Sequence, residues 1–289
     1  MTNCTVLKNK PLEKKDSKEK YPIFKISLAE WSLHRYLFTN ATKSNLDFPV
    51  MARKYFEIDA VEYVNQFFPD KAEDTKYLRE LKTRSYNEGV RNILIMCDNE
   101  GKLASKSRKE RESAVKNHYK WIDAAKFLGC HSLRITALGE GTPEEQKNHM
   151  VESLVKLSEY SGKLGINVIV ENHGGLSSNA VWLSDVIKKA NNPFIGTLPD
   201  FGNFSEKVNI YESVGKMMPF AKGVSAKAYD FDEKGNETRI DYEKMIRVVV
   251  LSGYQGYVGI EYEGENLNEF EGIRKTKSLL EKVRAKISD

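Results

Sequence analysis

A run of apolar, mostly β-branched residues that leads into a carboxylate occurs three times in this chain. The clearest case is Ile166 to Val170, which follows Gly165 and leads directly into Glu171 in the run ENHGG. The pattern returns in GTLPD, which ends at Asp200, and in GYVGIE, which ends at Glu261. Such runs are typical of buried parallel strands, and the loops after parallel strands carry the ligand sites of α/β proteins. One acidic strand end could equally be a structural ion pair, but the recurrence favours a shared site.

Apolar periodicity divides the remaining chain into alternating strands and helices. Asp47 is predicted to cap the helix that follows it, and Gly129 to end a long helix that begins near residue 107. The predicted strands lie at 23–28, 60–64, 92–97, 132–136, 166–170, 195–198, 223–226 and 257–261. Eight strand-then-helix units of this total length match the size of a (β/α)8 barrel.

We therefore predict an α/β fold, a single-domain (β/α)8 TIM barrel over residues 21–289, preceded by a disordered basic tail at residues 1–20. No Pro/Gly-rich linker divides the repeating units. An open, doubly wound sheet is the alternative. It is disfavoured because the first strand leads into AEWSLH and not into a glycine-rich phosphate loop.

The net charge of +4 comes mostly from the predicted tail, which holds six lysines and three acidic residues. The rest of the chain is nearly balanced, so the sequence predicts no nucleic-acid groove and no membrane surface. Cys4, Cys97 and Cys130 form no C-x-x-C pair and are expected to be reduced. We expect a cytoplasmic protein, with export by a removed signal as the alternative; a homo-oligomer is compatible with the sequence.

The three acidic strand ends predict a metal site. A closed barrel would bring Glu171, Asp200 and Glu261 to one mouth, where like charges raise one another's pKa unless a cation neutralises them. A divalent metal is the economical solution, and a carboxylate-rich set suits Mn²⁺, Mg²⁺, Co²⁺ or Zn²⁺.

Four short motifs in order resemble one known family. They are ENHG at 171–174, D-x-G-x at 200–203, V-x-A-K at 224–227 and G-I-E-Y at 259–262. Each is weak alone, but together they resemble the xylose-isomerase-like barrels, which include sugar phosphate isomerases and epimerases, inosose dehydratases and endonuclease IV. The resemblance covers the chain from about residue 23 onwards.

This resemblance implies that Glu171, Asp200 and Glu261 hold the metal and that the two glutamates also move the substrate proton. Two positions depart from the family pattern. Ser225 stands where the strand-seven histidine is usual, and Asn203 where a substrate-contacting histidine is frequent. The missing imidazole predicts weaker metal binding or a different metal, unless His173 or His34 supplies it.

The candidate substrate-binding residues lie near predicted strand ends: Trp31, His34, Arg134, His173, Asn203 and Lys227. Arg134 lies inside a strand, where an unpaired guanidinium would be costly, so it must meet a carboxylate or a substrate anion. Lys227 could bind a substrate oxygen or neutralise the carboxylates in place of a metal. Trp31, with Phe67 and Phe68, could be core at the rim or a face for a sugar ring.

The function that we predict is a metal-dependent sugar, or sugar phosphate, isomerase or epimerase that moves a proton α to a carbonyl, with a small carbohydrate as its substrate. A dehydratase or lyase on the same scaffold is one alternative. A non-catalytic carbohydrate-binding barrel is another, because Ser225 and Asn203 replace imidazoles. An endonuclease is less favoured, since five scattered histidines are too few for its metal cluster.

Overall fold

The computed structural model describes residues 23–288, and within them eight parallel strands form one sheet that curls into a barrel. This confirms the predicted (β/α)8 TIM barrel. The strands are β1 Lys25–Ala29, β2 Ala60–Val64, β3 Arg91–Met96, β4 Ser132–Ile135, β5 Asn167–Glu171, β6 Ile195–Leu198, β7 Val224–Ala228 and β8 Tyr257–Tyr262. The predicted basic tail and Cys4 lie outside the described residues.

The barrel closes through an irregular seam. Consecutive strands pair from β1 to β6, β8 pairs with β1, and β7 pairs with β8. Between β6 and β7 the structure has isolated bridges, with the amide of Lys222 donating to the carbonyl of Thr197 at 3.0 Å and the amide of Ser225 donating to that of Pro199 at 2.9 Å. Asp200 lies in this seam, opposite Ser225.

Helices surround the strands: α1 His34–Thr39, α2 Phe48–Phe56, α3 Thr75–Asn87, α4 Arg108–Leu128, α5 Pro143–Leu164, α6 Ala180–Ala190, α7 Ile210–Met217, α8 Tyr242–Leu251 and α9 Glu269–Ser288. Local sequence explains their ends. The side chains of Ser107 and Thr142 cap the first turns of α4 and α5, and Gly129 and Gly165 end both helices with positive φ. Within residues 23–288, no helix is both long and apolar enough to cross a membrane.

Two predictions of local structure need correction. Asp47 makes no side-chain cap on α2, because its carboxylate instead accepts the amide of Ser44 in the preceding 3-10 turn. Lys227 does not lie at the exit of the seventh strand, because β7 continues to Ala228 and buries Lys227 inside the sheet. Cys97 and Cys130 are buried free thiols, as expected for reduced core residues.

The core has two parts. Most apolar side chains fill the layer between strands and helices, while a smaller cluster, which includes Leu94, Ile169 and Leu198, fills the inside of the barrel. Alternate residues of a strand share a face, so Glu171 points to the same interior as Ile169, one layer nearer the carboxyl end. The interior therefore changes from apolar to charged towards the mouth.

Candidate active site

Three buried carboxylates meet at the mouth of the barrel. Glu171 ends β5, Asp200 follows β6 and Glu261 lies near the end of β8. One oxygen of each lies within 4.8 Å of the others, and each side chain is almost fully buried. The structure thus brings together the acidic strand ends that the sequence analysis singled out.

Ser225 lies between two of these carboxylates. Its hydroxyl oxygen is 2.7 Å from Asp200 Oδ2 and 2.7 Å from Glu261 Oε2. Burial raises the pKa of Asp200 to about 6, although Lys227 and the Ser225 hydrogen bond oppose the rise. Ser225 stands where an imidazole was expected, and its hydroxyl oxygen still faces the carboxylate cluster.

Lys227 is a buried cationic side chain inside the barrel, close to the carboxylates. Its Nζ lies 2.9 Å from Glu261, 3.2 Å from Glu263 and 3.7 Å from Asp200. Burial alone would raise the pKa of Glu261, but Lys227 and the hydrogen bond from Ser225 together bring it below its usual value. Lys227 therefore offsets part of the negative charge of these three carboxylates.

Arg134 bridges two carboxylates across the mouth. Its Nη1 lies 2.5 Å from Asp98 and its Nε lies 2.7 Å from Glu171. Arg134 is only 3% exposed, so its charge is held by these two groups. Burial nevertheless raises the pKa of Glu171 well above its ordinary value, with Arg134 opposing the rise and Glu261 and Asp200 adding to it.

The backbone and neighbouring amides fix the orientation of the carboxylates. Asp200 Oδ1 accepts the amides of Gly202 and Asn203, each at 2.8 Å. The side chain of Asn172 holds the backbone of Asp200 through two hydrogen bonds. Asn203 donates from its side chain to Glu171 Oε1 at 3.1 Å. Asn203, proposed for substrate binding, thus contacts a carboxylate directly.

Some of the other candidate residues from the sequence line a cavity at the mouth, and one does not. A cavity of about 320 Å³ reaches one carboxylate of the cluster, Glu261, and Trp31, Arg134 and His173 line it as well. His34 does not line this cavity. It stacks on Trp31 and its Nδ1 lies 2.7 Å from the carbonyl of Trp31, so it supports the indole from behind.

Sequence reasoning missed several residues of the site. Asp98, Gln66 and Leu138 also line the cavity, and Glu263 lines it while contacting Lys227. Asp98 comes directly after Cys97 at the end of β3. This position at a strand end was the sequence feature that could have identified it as a site residue. Phe68, in contrast, is buried in the outer core against Trp121 and is not part of the mouth.

The charges of the site fit a bound cation. Five carboxylates surround two cationic side chains: Asp98, Glu171, Asp200, Glu261 and Glu263 around Arg134 and Lys227. Moreover, Oε2 of Glu171 is buried and accepts no hydrogen bond, since its contact with Arg134 is ionic but poorly aligned. A divalent ion would satisfy this oxygen and reduce the excess of negative charge.

The xylose isomerase-like TIM barrel family model matches residues 52–283. The chain belongs to this family. The match covers most of the barrel, including all three carboxylates and every strand except β1. It confirms the resemblance drawn from the four sequence motifs.

One curated relative of this xylose isomerase-like barrel matches over a short segment. The C-glycoside deglycosidase alpha subunit of Arthrobacter globiformis is 38% identical over 73 residues. That segment is 23% of this chain and 21% of the relative, so the chain matches only about a fifth of the subunit's length.

Solved structures of similar fold cover nearly the whole barrel. L-ribulose 3-epimerase is 14% identical with a TM-score of 0.75, covering 92% of this chain and 97% of that one. The 3-keto-D-glucoside 4-epimerase of E. coli is 13% identical with a TM-score of 0.71, covering 90% and 99%. The IolI protein, solved with a bound zinc atom, is 17% identical with a TM-score of 0.72, covering 91% and 99%. These similarities establish the fold.

Proposed function

We propose that this xylose isomerase-like barrel is a metal-assisted sugar isomerase or epimerase. The observation that carries the proposal is the buried cluster of Glu171, Asp200 and Glu261 at the carboxyl ends of the strands, where Glu261 lines an open cavity. Active sites of this fold form at that end. Similar barrels that are sugar epimerases support the reaction class.

The residues present fit a divalent ion held by Glu171, Asp200 and Glu261. When bound, such an ion polarises a carbonyl and its adjacent hydroxyl and so makes the α-proton more acidic. Ser225 adds a neutral oxygen beside two of the ligands. An all-oxygen donor set of this kind suits Mg²⁺ or Mn²⁺ better than softer ions.

In the proposed mechanism, Glu171 and Glu261 act on opposite faces of one substrate carbon. They belong to β5 and β8, which stand three strands apart around the eight-stranded barrel. One glutamate removes the α-proton and the other can return a proton from its own side. Arg134 and Asn203 hold the Glu171 carboxylate, while Lys227 and Ser225 hold Glu261.

The test is solvent deuterium incorporation at the α-carbon of accepted ketoses and aldoses, followed by NMR with added Mg²⁺ or Mn²⁺. Glu171→Gln and Glu261→Gln each keep the size of the side chain but remove its basicity. We expect exchange to fall by about 10²–10⁴-fold in each variant. Glu57→Gln, at a residue that is 86% exposed and remote from the mouth, is the matched control. Unchanged exchange in both site variants would refute the two-glutamate mechanism.

A lyase is the second candidate, favoured by the local match to a C-glycoside deglycosidase subunit. It would begin with the same α-proton removal and then expel a substituent from the neighbouring β-carbon. The same NMR experiment separates the two. An epimerase returns deuterium to the α-carbon of an intact sugar, whereas a lyase releases the leaving group.

A further inference from the structure

Aromatic side chains form one wall at the entrance to the candidate active site. Trp31 lines the cavity directly, and Phe38 and Phe67 extend the apolar surface outwards from it. We call these three residues the aromatic rim. Phe38 and Phe67 stack with ring centroids 4.5 Å apart, and each lies about 6 Å from the Trp31 ring.

Apolar side chains of the rim and of the cavity wall beside it are exposed to solvent. Phe38 is 55% exposed, and Leu138, which also lines the cavity, is 47% exposed. Single exposed apolar residues are ordinary on protein surfaces. Here they border a cavity whose floor is charged, so the site is polar inside and apolar at its opening. An amphiphilic ligand with a polar head and an apolar tail matches that gradient.

The charges of the cavity disfavour a phosphorylated ligand. Among the described residues that line it, Arg134 is the single lysine or arginine, and two carboxylates already engage its guanidinium. Lys227 below is likewise held by Glu261 and Glu263. The three carboxylates that line the cavity, Asp98, Glu261 and Glu263, outnumber its one cationic side chain, so a phosphate would meet net negative charge.

We propose that the natural substrate is an uncharged keto-glycoside, whose ring ketone makes the neighbouring C–H acidic. Its sugar ring reaches the carboxylates, and its apolar aglycone, aromatic or alkyl, lies on the aromatic rim. This inference rests on the proposed function and narrows its substrate class. It assigns Trp31, Phe38 and Leu138 to aglycone recognition and excludes sugar phosphates. The aglycone gains affinity by removing apolar surface from water on both partners.

The experiment compares three probes by isothermal titration calorimetry at low salt: phenyl β-D-glucopyranoside, methyl β-D-glucopyranoside and D-glucose 6-phosphate. We expect the phenyl glucoside to bind about 10-fold more tightly than the methyl glucoside, from partial burial of the phenyl ring. We expect glucose 6-phosphate to bind more weakly than either. Phe38→Ala and Leu138→Ala should each reduce the phenyl-to-methyl ratio.

Tyr86→Ala is the matched control, because Tyr86 is an 82% exposed aromatic residue that does not line the cavity. It should leave the ratio unchanged. Tighter binding of the phosphate, equal binding of both glucosides, no binding of either glucoside, or a ratio that survives both Phe38→Ala and Leu138→Ala would overturn the inference.

The aglycone site and the proposed function can fail independently, and the two experiments distinguish these failures. Deuterium exchange into a free sugar without any phenyl preference would retain the isomerase or epimerase and remove the aglycone site. A phenyl preference that is lost in Phe38→Ala and Leu138→Ala, without exchange in any ketone-bearing sugar, would retain the aglycone site and remove the proposed chemistry.

Discussion

Arg134 illustrates how one side chain can organise charges from three strands. It extends from β4 and pairs with Asp98, which follows β3, and with Glu171 on β5. A guanidinium suits this position because its fork of donors can engage two carboxylates at once and remains charged in the interior. The residue therefore holds a proposed catalytic group in place through a buried ion pair.

Replacing Arg134 by Met should destabilise the protein by about 3–5 kcal/mol at neutral pH, because two carboxylates would lose their buried partner. In the folded protein, burial raises the pKa of Asp98, but Arg134 brings it below its usual value. An acid with a lowered folded-state pKa contributes stability above its unfolded pKa of roughly 4 and loses that contribution as the pH falls. The difference in unfolding free energy between parent and variant should therefore be fully present from pH 7 down to about pH 4 and should narrow as the pH falls further.

Urea denaturation at several pH values measures this difference. Arg108→Met is the matched control, because Arg108 is 79% exposed and pairs with Glu112 on the surface of α4. Its effect should stay below about 1 kcal/mol. A loss for Arg134→Met that is no larger than this, or one that is independent of pH, would contradict the ion-pair account.

At the scale of the elements, the packing of β8 against β2 supports the site from below. Gly259 on β8 lies two residues before Glu261, and a Cβ atom there would come 2.5 Å from Glu62 Oε1. Glu62 is buried on β2, accepts a hydrogen bond from Ser27 and has its pKa raised to about 7, mainly by burial. The absence of a side chain at residue 259 leaves room for this carboxyl group.

Gly259→Ala should therefore destabilise the barrel by about 1–3 kcal/mol through overpacking, and it should also lower exchange activity because β8 carries Glu261. Gly215→Ala in α7 offers a matched control. A Cβ at Gly215 would meet Val248 at an ordinary 3.5 Å. Alanine is the better helix former, so this change should be neutral or stabilising. Thermal unfolding of both variants decides the matter, and equal melting temperatures would refute the packing argument.

At the scale of the whole molecule, the proposed metal ligands span the irregular closure of the barrel. Asp200 lies in the seam between β6 and β7, while Glu171 and Glu261 come from strands on either side of that seam. Few regular backbone hydrogen bonds join β6 to β7. A cation bound to all three carboxylates would connect the two edges of the sheet.

Metal binding should therefore raise the stability of the whole fold. At a free concentration 100 times its Kd, a single bound ion adds about 2.7 kcal/mol, which corresponds to a rise of roughly 4–8 °C in Tm. Differential scanning calorimetry of chelator-treated protein with and without added Mg²⁺ or Mn²⁺ measures this rise. Asp200→Asn should abolish most of it, whereas Glu265→Gln, at an exposed carboxylate after β8, should not. Equal responses of the two variants would place the ion elsewhere.

The amino-acid sequence by itself determined the eight strands, the main helices and the three acidic strand ends. These features depend on local periodicity and on caps such as Thr142, so they can be predicted from neighbouring residues. The observed strand ends differ from the predicted ones by one or two residues. For β7 this difference places Lys227 in the buried sheet and not in a loop. The start of α2 directly after Asp47 was predicted correctly, but the expected side-chain cap was not, because the Asp47 carboxylate bonds to Ser44 in the preceding 3-10 turn.

Only the tertiary structure decided which distant residues meet. The register between strands sets Ser225 between Asp200 and Glu261, and it places Arg134 between Asp98 and Glu171. Such contacts join residues more than 20 positions apart, and shifting the register of a strand by one residue would turn its side chains to the opposite face. No local pattern specifies that register, because it is fixed by the packing of all eight strands together.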